Sequence, residues 1–580
     1  MSIDNLITDH IETWTTAQVH KKSGGRGRSK KSNGQSQYGI TKLRELILEL
    51  AVRGKLVPQD SNDEPTDLLL KSIANERNRL AKQKSIKRPK QLAPISDEEK
   101  PFAIPPSWKF TRLNNLGEWG AGATPSRRKS EYYEGNIPWF KSGELVDDFI
   151  SSSEEHITDL ALKETSVRYN NIGDVLIAMY GATIGKTSIL EVKATTNQAV
   201  CACTPFLGFS NTFLLTLLKA FKGRFIGMGA GGAQPNISRE KLIATVIPLP
   251  PLAEQHRIVA KVDKLMALCD QLEQEQTDNS ETHQLLVKTL LDTLTNATDH
   301  ADFIESWQRI ETNFDILFTT EASIDKLKQT ILQLAVMGKL VPQDPNNEPA
   351  SVLLEKIAKE KARLVKKGKI KKQKPLPEIG EEEKPFELPL GWEWVRFGSL
   401  VNYKSELVQP HDFLDIDQVA PDSIEKGSGK LLFRRTVLES GIRGPNNRFY
   451  AGQILYSKIR PSLSKAVLID FDGLCSADMY PIESMIDPRF LLKQILSEVF
   501  LIQVRIAENR IKMPKLNIES LSNILVPLPP SKEHLRIVSK IDEMTKVCDS
   551  LKERLNVAQA TQVHLADTLA AFFATSPRKQ

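Results

Sequence analysis

The residues of this chain that come nearest to chemistry are Gly181-Ala182-Thr183-Ile184-Gly185-Lys186-Thr187. A phosphate-binding loop needs four residues between its glycines, so that successive backbone N–H groups can wrap the phosphates. Here only Ala182, Thr183 and Ile184 stand between Gly181 and Gly185, and the pattern fails. The run Gly227-Met228-Gly229-Ala230-Gly231-Gly232 reads as a turn, without the G-x-G-x-x-G frame that follows a strand. There is no H-E-x-x-H, no G-x-S-x-G and no EF-hand loop. Nor is there an Asn/Asp-Pro-Pro-aromatic run of the kind that holds a flipped adenine, or a carboxylate-plus-lysine nuclease cluster. The 9 histidines lack metal-ligand spacing. The 5 cysteines supply only one C-x-C, Cys201 and Cys203. The chain reads as non-catalytic and without a metal site.

What remains is recognition, and charge bears on it. A net charge of +6, from 78 basic and 72 acidic residues, permits nucleic-acid binding without arguing for it. The arrangement says more. From Thr13 to Leu43 no acidic residue occurs, and Lys21, Lys22, Arg26, Arg28, Lys30 and Lys31 cluster among Gly and Ser. That composition predicts a flexible basic arm over 18–39. No apolar run approaches the roughly 18–20 residues of a membrane helix. Met1-Ser2-Ile3-Asp4-Asn5 has no basic or apolar leader. A cytoplasmic, reducing setting without membrane contact is therefore expected. At roughly 150 residues per domain, 580 residues suggest about four domains.

The elements that must position any recognition residues are visible as a repeat. Ile40 to Arg112 matches Ile324 to Arg396 without a gap, with Gly54 and Gly338 lying 284 positions apart. The first core is Leu50-Ala51-Val52-Arg53-Gly54-Lys55-Leu56-Val57-Pro58-Gln59-Asp60; the second is Leu334-Ala335-Val336-Met337-Gly338-Lys339-Leu340-Val341-Pro342-Gln343-Asp344. Both copies run on through a basic stretch, Lys82 to Lys90 and Lys366 to Lys374, to Lys-Pro-Phe and then Trp108 or Trp392. Those stretches suit phosphates, partner subunits or merely a soluble linker. A second repeated block follows: Ile247-Pro248-Leu249-Pro250-Pro251 and Val526-Pro527-Leu528-Pro529-Pro530, with Arg257 and Arg536 lying 279 positions apart. Between the blocks lie inserts of similar length, about 109–245 and 397–524, whose sequences align little. Repeated frames around dissimilar inserts suggest a pseudo-twofold scaffold with two different working surfaces.

The second block starts a helix. Ile258, Val262, Leu265, Cys269 and Leu272 are spaced 4, 3, 4, 3, as are Ile537, Ile541, Met544, Cys548, Leu551 and Leu555. In the second copy the stripe is expected to continue through Ala558, Leu565, Leu569 and Phe572, with Gln562 interrupting it. Neither stripe can be buried alone, which predicts antiparallel packing of one such helix on the other or on the helices over Ile40–Val52 and Ile324–Val336. In the inserts, Asp174–Tyr180 and Gln453–Ser457 read as strands, and Asn211–Phe221 and Phe490–Val504 as helices. Trp108, Trp139 and Trp392 read as core anchors.

One ordered series of strings carries a resemblance. It runs Gly122-Ala123-Thr124-Pro125-Ser126, Asn136-Ile137-Pro138-Trp139-Phe140-Lys141-Ser142-Gly143-Glu144-Leu145, Gly173-Asp174-Val175-Leu176-Ile177-Ala178, Tyr180 to Lys186, Thr196-Asn197-Gln198-Ala199 and Gln234-Pro235-Asn236-Ile237-Ser238. Together with the repeated Leu-Ala-Val-x-Gly-Lys segments, it resembles the specificity subunits of type I restriction–modification enzymes over residues 1–17 and 40–573. The second insert departs from the pattern but looks like a recognition domain of another subtype, in Gly452 to Pro461 and Cys475 to Pro481. The resemblance implies binding to an asymmetric, bipartite duplex DNA target, one half-site per domain. It implies two methyltransferase subunits that modify adenine, and restriction subunits that translocate with ATP. S-adenosylmethionine, ATP and Mg would belong to those partners, and this chain would bind no cofactor.

Readout of base edges needs Arg or Lys for guanine and Asn or Gln for adenine. The DNA-binding candidates on turn-like segments of the first insert are Thr124, Ser126, Arg127, Arg128, Lys141, Ser142, Tyr180, Lys186, Asn197, Gln198 and Gln234. In the second they are Arg434, Arg435, Arg443, Arg448, Ser457, Lys458, Arg460 and Lys465. The expected fold is α+β, with two mixed α/β recognition domains separated by long antiparallel coiled-coil helices in a pseudo-twofold repeat. The expected division is an N-terminal segment 1–39, a frame 40–106, a recognition domain 107–250, a central helix and connector 251–323, a second frame 324–390, a second recognition domain 391–529 and a C-terminal helix 530–580. The alternative function is a scaffold that binds proteins rather than DNA and oligomerises through its helices.

Overall fold

The computed structural model describes residues 7–20, 35–87, 92–229, 235–297, 300–370, 372, 374–508 and 514–575. The basic cluster at 21–34 and Gln234 lie outside these residues. The chain forms two units, one of 1–279 with 558–580 and the other of 280–557. No described helix is long and apolar enough to cross a membrane.

The first unit is organised by the helix Tyr38–Val52, which buries Ile40, Leu43, Ile47 and Leu50 along one face. The repeated Ala-Val-x-Gly-Lys string is the end of this helix. Gly54 takes left-handed backbone (φ 69°), the Gly54 N–H reaches the Ala51 carbonyl, and the Lys55 N–H reaches that of Leu50 at 2.9 Å. A Cβ at Gly54 would collide with the Pro105 ring. The turn aims Lys55 at the end of the C-terminal helix Ser531–Thr575, where its ammonium donates to the Ala574 carbonyl at 2.6 Å.

Side-chain pairs fix the directions of the helices. Arg44 pairs with Asp270 at 2.6 Å, and Gln37 donates to the Glu273 carbonyl at 3.1 Å, so the frame helix runs antiparallel to the central helix Leu252–Thr295. Tyr38 donates to Asp567 at 2.7 Å and Lys55 reaches Ala574, so it runs parallel to the C-terminal helix. Within this unit the two long helices are therefore antiparallel. Ile258, Val262, Leu265, Cys269 and Leu272 are all buried in the core that also holds Ile40 to Leu50.

The second unit repeats these contacts around the helix Glu321–Val336. Lys328 pairs with Asp549, where Arg44 pairs with Asp270. Lys339, behind left-handed Gly338, donates to the Thr295 and Ala297 carbonyls at 3.0 Å. Ile537, Ile541 and Cys548 are buried, and Met544, Leu551 and Leu555 pack half-buried against the same core. Beyond Leu555 the expected stripe holds only at Leu569, and Ala558 is exposed. Leu565 and Phe572 are exposed, while Ala566 and Ala574 are buried and Leu569, Ala570 and Phe573 pack on the first unit's core. The helix changes partners after Gln562, and a 3.6-residue turn does not keep a strict heptad face across such a change.

Each insert is tied to its frame at both ends by one antiparallel strand pair: Lys109–Arg112 with Val246–Leu249, and Glu393–Arg396 with Leu525–Leu528. Arg112 and Arg396 lock these ties. Arg112 donates to the Ala93 and Ala244 carbonyls and pairs with Glu99, and Arg396 does the same with Pro377, Asn523 and Glu383. Trp108 and Trp392 are buried, and their Nε1 atoms donate to Glu254 at 2.9 Å and Glu533 at 3.1 Å.

Between the ties the inserts share a core sheet that their sequences conceal. In the first, Gly117–Ala121, Val200–Pro205, Val175–Ala178 and Thr187–Leu190 lie side by side and antiparallel, with Asp148–Ile150 added at the edge. In the second, Val401–Tyr403, Met479–Ser484, Ile454–Ser457 and Ala466–Leu468 follow the same order. A helix covers each sheet, Asn211–Ala220 and Pro488–Leu496. The segment Phe490–Val504 is two helices rather than one. Ser497 breaks it in extended backbone, and its side chain caps the next helix by accepting the Phe500 N–H. The second sheets differ. One joins Thr195–Thr196, Tyr133–Phe140 and His156–Ile157; the other joins Leu407–Val408, Asn446–Phe449, Gly473–Cys475 and Asp417–Val419. The protein is thus α+β, with a pseudo-repeated helical frame and two mixed inserts.

Candidate nucleic-acid interface

In the first insert three loops meet where the two sheets adjoin. The Ala123 N–H bonds the Thr196 carbonyl, the Asn197 N–H bonds that of Phe140, and the Trp139 Nε1 bonds that of Ala123, each at 3.0 Å. Gly122 allows this approach, since a Cβ there would strike the Thr196 carbonyl. Thr124, Lys141, Asn197 and Gln198 are so brought together, and the Thr124 hydroxyl donates to Gln198. Arg127 lies over the rings of Tyr133 (4.5 Å) and Trp139 (5.1 Å) and pairs with Glu155 at 2.6 Å. Lys141 shares Glu155 at 3.0 Å and also meets Glu154. Hydrogen bonds from Arg127 and then Lys141 hold the Glu155 carboxyl below its ordinary range. Both cations are thus matched by internal carboxylates before any ligand arrives.

Lys186 donates to the Gly143 carbonyl at 3.2 Å, which tethers the loop carrying Ser142. Tyr180 is exposed, and its backbone bridges to Asn236. Ser126 and Arg128 are exposed, and their side chains have no partner among the described residues.

The second insert scatters its candidates. Arg448 lies over Tyr450 at 5.2 Å, and Lys458 donates to the Ala477 carbonyl at 2.6 Å. Lys458 lines a cleft of about 280 Å³ with Tyr403, Lys404, Ser405, Asn447 and Tyr480. Lys404, whose ammonium sits 4.3 Å over the Tyr450 ring, and Asn447 were not singled out by residue type and spacing. Only the strand pairing brings them to this cleft. Arg434 sits elsewhere, over Phe471 at 3.8 Å and against Asp470 at 3.1 Å, in a cleft of about 750 Å³ lined by Leu431, Leu432 and Phe433. Arg435 forms a fork with Asp422, both arms 2.9 Å. Lys465 bonds the Pro421 carbonyl. Ser457 is 1% exposed and its hydroxyl donates to Ile459, so it faces the interior. Arg443 and Arg460 are exposed, with no side-chain partner among the described residues. Arg460 also holds left-handed backbone (φ 46°).

Among the described residues no three His, Cys, Asp or Glu side chains group to hold a metal. All five cysteines are free and buried, and burial pushes the Cys201 thiol up to about 12. What these surfaces offer is hydrogen-bond donors and cations on loops, some of them tied by backbone hydrogen bonds.

Residues 105–280 match the family model described as the type I restriction modification DNA specificity domain. Over 601 aligned residues the chain is 39% identical to the type I restriction enzyme EcoAI specificity subunit of Escherichia coli, covering 98% of this chain and 99% of that relative. The chain belongs to the type I restriction enzyme specificity subunits. The EcoEI specificity subunit of Escherichia coli is 38% identical over 610 residues, again covering 98% and 99% of the two chains. The HsdS subunit from Thermoanaerobacter tengcongensis, a solved crystal structure, is 16% identical, with a TM-score of 0.39 over 82% of this chain and 98% of that one. In this specificity subunit both inserts sit on one repeated frame, while the loops and second sheets that carry the candidate residues differ.

Proposed function

We propose that this specificity subunit is the DNA-reading member of a type I restriction–modification enzyme and has no catalytic activity of its own. It binds an asymmetric, bipartite duplex target, with one half-site read by each insert. Two methyltransferase subunits carry S-adenosylmethionine and modify adenine, and restriction subunits with ATP and Mg act on unmodified DNA. One observation carries this reading: two inserts share a core sheet and a frame, yet their second sheets and the loops that carry the candidate residues differ. A scaffold reused twice with altered surfaces fits reading two different short sequences. Most hydrogen bonds to a duplex go to phosphate and sugar. The internally paired Arg127 and Arg435 therefore serve to hold loop shape, and the exposed Arg128, Arg443 and Arg460 are the better placed to meet DNA.

The test is a methylation map of cells carrying the methyltransferase subunits with and without this gene. A two-part, asymmetric adenine motif that appears only with the gene supports the reading. No motif, with the proteins soluble and associated, would sink it.

A further inference from the structure

The helices Thr66–Lys82 and Ala350–Lys366 occupy equivalent places in the two frames, and they end alike. Lys84 (φ 57°) and Gly368 (φ 69°) both turn left-handed. The same pair of bonds closes each turn. Lys84 reaches Ala81 at 3.2 Å and Ser85 reaches Leu80 at 3.0 Å; Gly368 reaches Val365 and Lys369 reaches Leu364, both at 3.0 Å. Along the helices several cations have partners: Arg79 pairs with Glu76, Lys356 with Glu348, Lys359 with Glu355 and Arg363 with Glu360, while Arg77 donates to Asn115 and Lys361 to the Gly398 and Val401 carbonyls. The lysines gathered at the two ends differ from these. Lys82, Lys84 and Lys87, and likewise Lys366, Lys367, Lys369, Lys372 and Lys374, are exposed and form no ion pair among the described residues. No acidic residue occurs from Arg77 to Ser96 or from Lys361 to Pro377.

Complementing the helix dipole needs cations only in the last turn, and these continue well past the caps. A protein-docking surface has an apolar centre and is depleted in Lys, whereas Lys dominates here. Flexible, solvated point charges suit phosphates.

We propose that the two lysine-bearing helix ends are sequence-independent contacts to the DNA phosphate backbone. This rests on the DNA-reading function above. The test uses the full chain with its partner subunits, titrated by fluorescence anisotropy onto a target duplex and a scrambled duplex of equal length, from about 50 to 200 mM salt. Two triple variants are compared: Lys82→Gln with Lys84→Gln and Lys87→Gln, and Lys366→Gln with Lys367→Gln and Lys369→Gln. Each phosphate contact adds about 0.9 to the slope of log affinity against log salt. Each triple variant is expected to lower that slope by about 2 to 3 and to weaken both duplexes alike, so that their affinity ratio is unchanged. A wild-type slope in both variants overturns the proposal. A wild-type slope with loss of partner subunits in sedimentation overturns it too, and assigns the lysines to a protein surface. If the wild type binds neither duplex, the DNA-reading function falls with it.

Discussion

Glu254 and Glu533 stand in the first turns of the two long helices, 0% and 1% exposed. Glu254 accepts hydrogen bonds from the Trp108 Nε1 at 2.9 Å and the Gln59 Nε2 at 2.6 Å. Burial raises its carboxyl above the ordinary value, and the bonds from Trp108 and Gln59 pull it partly back. A raised native pKa means that the folded state holds the proton more tightly than the unfolded chain does. This contribution to stability is therefore complete below the unfolded value, near about 4.3, and is lost as pH rises through the raised one. Glu254→Gln keeps an acceptor for Trp108 and removes the titration. It should flatten the fall in Tm above about pH 4.3 in scanning calorimetry. Glu254→Ala orphans the buried indole N–H and should cost about 1–3 kcal/mol at every pH. A Glu254→Gln protein with an unchanged pH profile would show that this carboxylate does not titrate with folding. Neither glutamate was legible as special, because a Glu early in a helix is common; only the pairing with a Trp from the other repeated block distinguishes it.

At the scale of elements, the frame was legible and the inserts only in part. Heptad spacing located Ile258 to Leu272 and Ile537 to Leu555 because one buried face repeats over several turns. The shared core sheet is not legible as a sheet because its strands are three to six residues long and those at its centre are buried on both faces. Val175–Ala178 and Ile454–Ser457 read as strands from their apolar β-branched runs, but buried on both faces they show no alternation that would tell which neighbours they pair with. The candidate interface was half legible. Residue type picked out Arg127 and Lys141, but not that both are matched by Glu155. The last turns of the C-terminal helix were misread in register, and their actual packing yields a prediction. Leu569 and Phe573 pack on the first unit's core, Tyr38 bonds Asp567, and His10 meets Phe573 at 6.1 Å. A chain ending at Val557 should lose about 3 kcal/mol or more in the first unit, at roughly 1.5 kcal/mol for each large side chain withdrawn. Hydrogen exchange should rise in Tyr38–Val52 and stay near wild type in Glu321–Val336. Equal loss of protection in both frame helices would refute this assignment.

At the scale of the whole molecule, two helices begin in one unit and end in the other. The central helix has no buried residue between Leu272 and Val287, and the C-terminal helix has none between Cys548 and Ala566. After Leu555, the last side chain that packs on the second unit's core, the C-terminal helix buries nothing until Ala566, so on the DNA-reading function proposed above these stretches are where the separation of the half-sites would be set, as by a ruler. Inserting four helical residues after Gln276 adds about 6 Å along the central helix. Made alone, the insertion leaves the C-terminal helix at its old length and puts the two out of step. A matched insertion after Leu555, at the equivalent position, restores the step. The paired variant should therefore methylate a target whose unspecified spacer is longer by about one to two base pairs, at 3.4 Å each, with both half-sites unchanged. The single insertion should instead lose stability and yield. Sequencing-based methylation maps of cells carrying each variant read both outcomes. Altered half-site bases in the paired variant would mean that the helices shape the reading surfaces themselves, and the ruler would have to be abandoned.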